Sequence, residues 1–263
     1  MRFIFIIITI TLLSSCASTK EVSGFAENVV IAHRGAWKAN GLPENSIAAL
    51  QHAVNIKCTG SEFDIRMTAN DSLIVTHDAD YAELIVEDTS YEELSRTPLE
   101  NGEILPTLRS YLLAGMHNNT NTRLVCEIKP SKDKERSLLI AERVFQLVEE
   151  LKAQDRVVYI SFSYAVLKRL EELDPKVHTQ YLDGSKSPEQ LKADGIDGVD
   201  YYISVFKSHP EWIVSAKKNK IALNVWTVNE ADDIDWLLDE GFDFITTNEP
   251  ELVLERANAK DRQ

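Results

Sequence analysis

Three carboxylates, two histidines and two cations in this chain sit where short β-branched runs end. Together they could hold a hard metal ion and move protons at a phosphate. Glu62 and Asp64 are two residues apart in the run Glu62-Phe63-Asp64-Ile65, so on a strand both side chains point to one face. Carboxylates turned into a core are costly unless something pairs them. Glu127, in the run Arg123-Leu124-Val125-Cys126-Glu127-Ile128, adds a third oxygen donor. The set suits Mg2+ or Ca2+. A lone Glu-X-Asp more often includes one solvated carboxylate; Glu127 at an equivalent strand end tips the reading toward metal. Of six histidines, His33 and His77 end such runs, and imidazole takes and gives protons near neutral pH. His52, His117, His178 and His209 fall on helices, loops or a strand without a carboxylate beside them and read as structural. Arg34, next to His33, offers a planar fork to a phosphate. Lys129 points the same way as Glu127 and can grip a phosphate oxygen or neutralise the carboxylates. Gly35 permits the turn that brings this loop close to a ligand.

Such groups act together only on a scaffold that gathers strand ends in one place. The chain alternates β-branched runs with longer helical patterns. Residues 28–32 read as a first strand, followed by a helix capped near Asn45 or Ser46 with Ile47, Leu50 and Val54 at helical spacing. Residues 62–65 form the second strand, with an extension over 73–76 that ends in His77-Asp78. A helix follows over 105–116, then a third strand over Arg123–Ile128 and a long amphipathic helix over 134–152. Strand and helix alternate again at Val157–Ser161 and Tyr164–Leu173, at 177–182 and Pro188–Ala193, and at 199–203 and 210–219. The seventh strand covers 221–226, before a helix with Asn229 as N-cap. The eighth covers 242–246, before a last helix from Glu249. Eight such units favour a (β/α)8 barrel of the TIM type over an open doubly wound sheet. Its C-terminal strand ends would form the active site. Residues 78–103 exceed a normal βα loop and predict a short, partly structured insertion after the second strand, at the barrel mouth.

Composition narrows the function classes. A chain that is 44% hydrophobic supports a sizeable core. A net charge of −14 argues against nucleic-acid binding, which draws on surplus Lys and Arg. It also leaves any anionic substrate to local cations and metal rather than to the overall field. Besides Cys16 there are only Cys58 and Cys126. They lack zinc spacing and read as buried free thiols, although an oxidising compartment would let them pair.

The first residues predict a compartment. Met1-Arg2, the apolar or Thr run from Phe3 to Leu13, and Ser14-Ser15-Cys16-Ala17 have the form of a secretory signal. The run is short for a bilayer span, which needs ~20 residues. Leu13-Ser14-Ser15-Cys16 resembles the bacterial lipobox, in which the Cys is lipidated. We therefore expect a signal peptide over 1–15, a tether over 16–26 and one barrel domain over 27–263. Acyl chains on Cys16 would anchor the protein to a membrane of the bacterial cell envelope, on its periplasmic or surface side.

His33-Arg34-Gly35, Pro43-Glu44-Asn45-Ser46, Glu62-X-Asp64, His77-Asp78, Glu127-Ile128-Lys129 and Trp226-Thr227-Val228-Asn229 occur in this order. In them, and in Leu105-Pro106-Thr107-Leu108 and Ile160-Ser161-Phe162-Ser163, the chain resembles the glycerophosphodiester phosphodiesterase family from Val29 to Pro250. The resemblance implies metal-dependent hydrolysis of glycerophosphodiesters to glycerol 3-phosphate and an alcohol. By carry-over, His33 and His77 are general acid and base, and Glu62, Asp64 and Glu127 hold one divalent ion, Mg2+ or Ca2+. Arg34 and Lys129 meet the phosphate, Trp226 meets substrate, and Glu44 orients a histidine or approaches the metal. The attacking group implied is the glycerol 2-hydroxyl. Ser46 stands where the family has Thr, the turn at Asn70-Asp71 lacks Gly, and Asn248 stands where an Asp is usual. Alternatives are a phospholipase-D-like or lysophospholipase activity on lipid head groups, or a catalytically silent phosphodiester-binding lipoprotein. Intact histidines and carboxylates speak against silence.

Overall fold

The computed structural model describes residues 25–260, so Cys16, the expected signal segment and most of the tether lie outside the described residues. In chain order the strands are β1 (Val30–Ala32), β2 (Gly60–Met67), β3 (Leu73–Val75), β4 (Asp80–Tyr81), β5 (Leu84–Ile85), β6 (Arg123–Ile128), β7 (Val157–Ser161), β8 (His178–Tyr181), β9 (Gly198–Tyr202), β10 (Ala222–Trp226) and β11 (Phe244–Thr247). The helices are α1 (Ile47–Asn55), α2 (Tyr91–Leu94), α3 (Leu108–Met116), α4 (Lys134–Glu150), α5 (Tyr164–Leu173), α6 (Pro188–Ala193), α7 (Ile203–Ser208), α8 (Glu211–Asn219), α9 (Ala231–Glu240) and α10 (Pro250–Lys260). Eight strands pair in parallel in the order β1, β11, β10, β9, β8, β7, β6, β2. The ring closes where Ile31 of β1 registers with Gly60 of β2. This is the expected (β/α)8 barrel.

Strand alternation sorts the side chains. Phe63, Ile65, Leu124, Cys126, Ile128, Leu223 and Val225 point out and pack under the helices in one large core. Burying each such aliphatic chain contributes about 1.5–3 kcal/mol. Ile31, Val125, Val158, Ile160 and Leu182 form a separate apolar filling inside, with Trp226 and Phe244 packed against it. Arg123 closes the floor, its guanidinium 4.7 Å from the Phe25 ring centroid and 5.1 Å from that of Phe244. Cys58 and Cys126 are both buried free thiols; burial pushes the Cys58 thiol up to about 12.

The expected insertion is present and has a small core of its own. β3 runs antiparallel to β2, with Ile65 opposite Val75. After it, β4 and β5 form a hairpin that leads to α2, and Ile74, Val86, Leu94 and Leu105 pack together beneath. The insertion ends at Glu103, whose carboxylate accepts from Ile47 N at 2.9 Å and Ala48 N at 3.1 Å. It thereby stabilises the first turn of α1, where orphan N–H groups favour an anion. Two expectations fail locally. Ile203 begins the extra helix α7 rather than ending β9. Asn229 is not a cap: Glu230 holds the N-cap position of α9 without a side-chain bond.

Candidate active site

β2 and β6 lie side by side, with Asp64 in register with Glu127, and the same alternation turns Glu62, Asp64, Glu127 and Lys129 inward. The three carboxylates are buried, and one oxygen from each lies within 4.8 Å of the others. Lys129 Nζ reaches Asp64 Oδ1 at 2.9 Å and Glu127 Oε1 at 2.7 Å. Of the two roles open to Lys129, the structure thus shows the neutralising one. Glu62 Oε1 is buried with no hydrogen-bond partner among the described residues. Burial first, then the charges of Asp64 and Glu127, push the Glu62 carboxyl well above its ordinary range. Burial and Asp64 also raise Glu127. Burial would raise Asp64 too, but Lys129 and a hydrogen bond from Asn45 hold it below its usual value. An oxygen-rich cluster with one orphaned buried oxygen and more acid than base fits a hard divalent cation.

The loop after β1 is locked onto this cluster by unusual backbone. Arg34 has a φ of 56° and donates its N–H to Glu62 Oε2 at 2.8 Å. Gly35 follows at φ 82°, and a Cβ there would lie 2.7 Å from Ala49 Cβ and 2.8 Å from Ala49 C. Gly35→Ala is expected to destabilise the fold by about 2–4 kcal/mol, the sum of left-handed strain and overpacking. Urea denaturation checks this, and a loss under half a kcal/mol rejects it. The Arg34 guanidinium is held by Glu44 at 2.5 Å and lies 3.7 Å from Asp64. Glu44 thus orients Arg34. Asn45, at φ 59°, accepts from Asp64 N at 3.2 Å and donates to Asp64 Oδ2 at 2.8 Å. Ser46, not Asn45, caps α1, accepting from Ala49 N.

His33 enters from the end of β1, with Nε2 4.0 Å from Glu62 Oε2. Its Nδ1 is 2.7 Å from Asn248 Oδ1, so Nδ1–H donates and Nε2 is left bare toward the carboxylates. Asn248 is placed in turn by Asn229 Oδ1, which accepts from Asn248 N at 2.9 Å. Burial, reinforced by the Arg34 charge and opposed by the Asn248 bond, pushes His33 down to about 4. The imidazole is therefore neutral at pH 7, and a divalent ion nearby would keep it so. In the metal-free protein, the His33 ring observed by 15N NMR is expected to titrate near pH 4. Asn248→Asp should raise that midpoint, because a carboxylate favours imidazolium. Titration of wild-type His33 at pH 6.5 or above would reject this environment.

His77 follows β3, with Nδ1 2.7 Å from Asp78 Oδ1, so its Nε2 is the free position. Across the mouth, Trp226 makes edge contacts with Phe162 at 5.4 Å and tilted contacts with Tyr202 at 5.5 Å. Its indole N–H donates to Asp200 O at 2.9 Å, which fixes one aromatic wall. The other histidines lie elsewhere on the molecule. Contrary to expectation, three of them have a carboxylate at hand: Glu251 is 3.0 Å from His52, Asp197 is 3.6 Å from His178 and Glu211 is 3.1 Å from His209. None of these pairs joins the triad. Sequence reasoning missed Asn45, Asn229 and Asn248 as site supports: Asn45 and Asn229 read first as helix caps, and Asn248 only as a departure from the family's Asp.

Known proteins resemble this chain in sequence and fold. The model of the glycerophosphoryl diester phosphodiesterase family matches residues 33–252. A glycerophosphodiester phosphodiesterase of Caldanaerobacter subterraneus subsp. tengcongensis is 28% identical over 245 residues, spanning 87% of this chain and 97% of that protein. The crystal structure of a glycerophosphodiester phosphodiesterase from Parabacteroides distasonis superposes with a TM-score of 0.87 at 39% identity, covering 90% of this chain and all of that one. A phosphodiesterase of Oleispira antarctica, in complex with its product sn-glycerol-3-phosphate, shares the fold at a TM-score of 0.71 and 20% identity, covering 88% of this chain and 96% of that one. Its family model running from His33 into the start of the last helix, this chain belongs to the glycerophosphoryl diester phosphodiesterase family, as an enzyme built on that family's barrel.

Proposed function

We propose that the enzyme hydrolyses glycerophosphodiesters to glycerol 3-phosphate and an alcohol in a reaction that depends on a divalent metal, with His33 and His77 as general acid and base. The observation that carries this reading is the buried cluster of Glu62, Asp64 and Glu127, with neutral His33 facing it. Those three carboxylates would hold Mg2+ or Ca2+, which when bound supplies positive charge against the charge developing on the phosphate oxygens. Arg34 and Lys129 add fixed positive charge beside the phosphate. His33 exchanges its proton at Nε2, because Nδ1 is committed to Asn248. His77 likewise acts at Nε2, with Nδ1 turned to Asp78. One imidazole deprotonates the attacking hydroxyl while the other protonates the departing alcohol, and opening the cyclic phosphate with water reverses the two roles. Trp226 supplies an apolar wall for the carbon skeleton of the substrate. The test is release of glycerol 3-phosphate from glycerophosphocholine with and without chelator. Consumption of lysophosphatidylcholine in place of glycerophosphocholine would favour a lysophospholipase instead.

The proposed place of action is the surface of a membrane of the cell envelope, through lipid on Cys16. Cys16→Ser is expected to leave membranes for the soluble fraction and to lose labelling by a palmitate analogue that marks the wild type. Equal labelling of the two forms would remove the anchor from this reading.

A further inference from the structure

The site holds a third cation. Arg66 sits on β2 two residues beyond Asp64 and four beyond Glu62, so alternation places it on the same inward face, one step nearer the mouth. Its Nε donates to the backbone oxygen of His77 at 2.8 Å. Its guanidinium lies in the field of Asp64, Glu87, Glu127 and Asp78, and burial lowers its pKa from the ordinary value. Yet among the described residues no carboxylate lies in ion-pair contact with it and no hydrogen bond takes up either terminal nitrogen. The contrast with its neighbours decides what it is for. Arg34 gives a terminal nitrogen to Glu44 and sets its Nε beside Asp64, and Lys129 is divided between Asp64 and Glu127. A counter-ion for surplus acid would close on one of the four carboxylates around it. Arg66 instead keeps two parallel N–H donors open at the strand end where the motif groups converge, the geometry that suits two oxygens of a phosphate.

We propose that Arg66 binds the phosphodiester group through its two terminal nitrogens while its Nε holds the backbone of His77, so that one side chain sets the distance between the phosphate and that imidazole. This rests on the reading of the pocket as a glycerophosphodiester site. A guanidinium fixed at one nitrogen loses little further freedom when the other two engage. Binding and proton transfer should therefore weaken together when it is removed.

The test measures glycerol 3-phosphate binding by calorimetry and glycerophosphocholine turnover in the metal-loaded wild type, Arg66→Ala and Arg66→Lys. Arg66→Ala is expected to bind glycerol 3-phosphate at least about tenfold more weakly, in line with loss of one charge-assisted pair, with KM raised and kcat lowered. Free guanidinium ion at millimolar concentration should restore part of the lost turnover, which a merely structural role would not allow. Arg66→Lys keeps charge and apolar stem but not the fork, and should fall between the two. If Arg66→Ala does not fold, Arg66→Lys decides alone: binding at least about threefold weaker supports the assignment, and unchanged affinity overturns it. Unchanged affinity in a folded Arg66→Ala also overturns it. A wild type that neither binds glycerol 3-phosphate nor hydrolyses glycerophosphocholine would instead reject the function proposed above, and this role with it.

Discussion

Glu62→Ala, Asp64→Ala and Glu127→Ala are each expected to lower hydrolysis of glycerophosphocholine by at least about a thousandfold, and a chelator to inactivate the wild type reversibly. A bound cation contributes several kcal/mol of transition-state stabilisation, and each 1.4 kcal/mol is about tenfold in rate. Removing one of three ligands also leaves two inward carboxylates without the full compensation of the ion, offset by Lys129 and the nearby guanidiniums alone. The raised pKa values of Glu62 and Glu127 add a sign. The ion must displace protons from these groups, so its affinity should rise with pH and its binding should release protons. Calorimetry in buffers of differing ionisation enthalpy reads that release directly. Full activity after exhaustive chelation, with absence of metal confirmed by elemental analysis, would end the metal reading. Purely structural carboxylates predict a different pattern: unfolded variants, and a wild type indifferent to chelator.

The second large effect concerns the nucleophile. If the glycerol 2-hydroxyl attacks, the substrate carries its own nucleophile beside the phosphorus and gains the proximity advantage of an intramolecular reaction. A 2-deoxy or 2-O-methyl glycerophosphodiester should then bind in the same pocket yet turn over at least about a hundredfold more slowly, well inside that advantage. A hydroxide held by a metal would not notice the change. His33→Ala and His77→Ala should both fail on the natural substrate, since each step uses one acid and one base. Hydrolysis of the 2-deoxy analogue at the rate of glycerophosphocholine would show that water attacks directly. The ligand and histidine assignments could survive that outcome, but the order of proton transfers could not.

Much of the site is a local property of the chain. The period of two along a strand is enough to turn Glu62 and Asp64 to one side and Glu127 and Lys129 to one side. Eight alternating runs then suffice to bring those sides inward. The turn at Asn70-Asp71 also forms without glycine, with Asp71 at φ 61°. What local pattern cannot carry is a partner far along the chain. His33 and Asn248 are 215 positions apart, and only the pairing of β1 with β11 places that amide on that ring. The same packing desolvates His33 and, with the adjacent Arg34 charge, lowers its pKa, and the desolvation is not encoded by any neighbour in the sequence. Asn229 could be read as a helix cap because the residue type fits; the packed chain uses it to place Asn248 instead. His52 read as lacking a carboxylate because Glu251 is 199 residues away, on the last helix. The residue types and their faces were thus determined by the sequence alone. Which of them meet, and in which state of charge, was decided by tertiary closure, because desolvation and ion pairing depend on distance in space and not on distance along the chain.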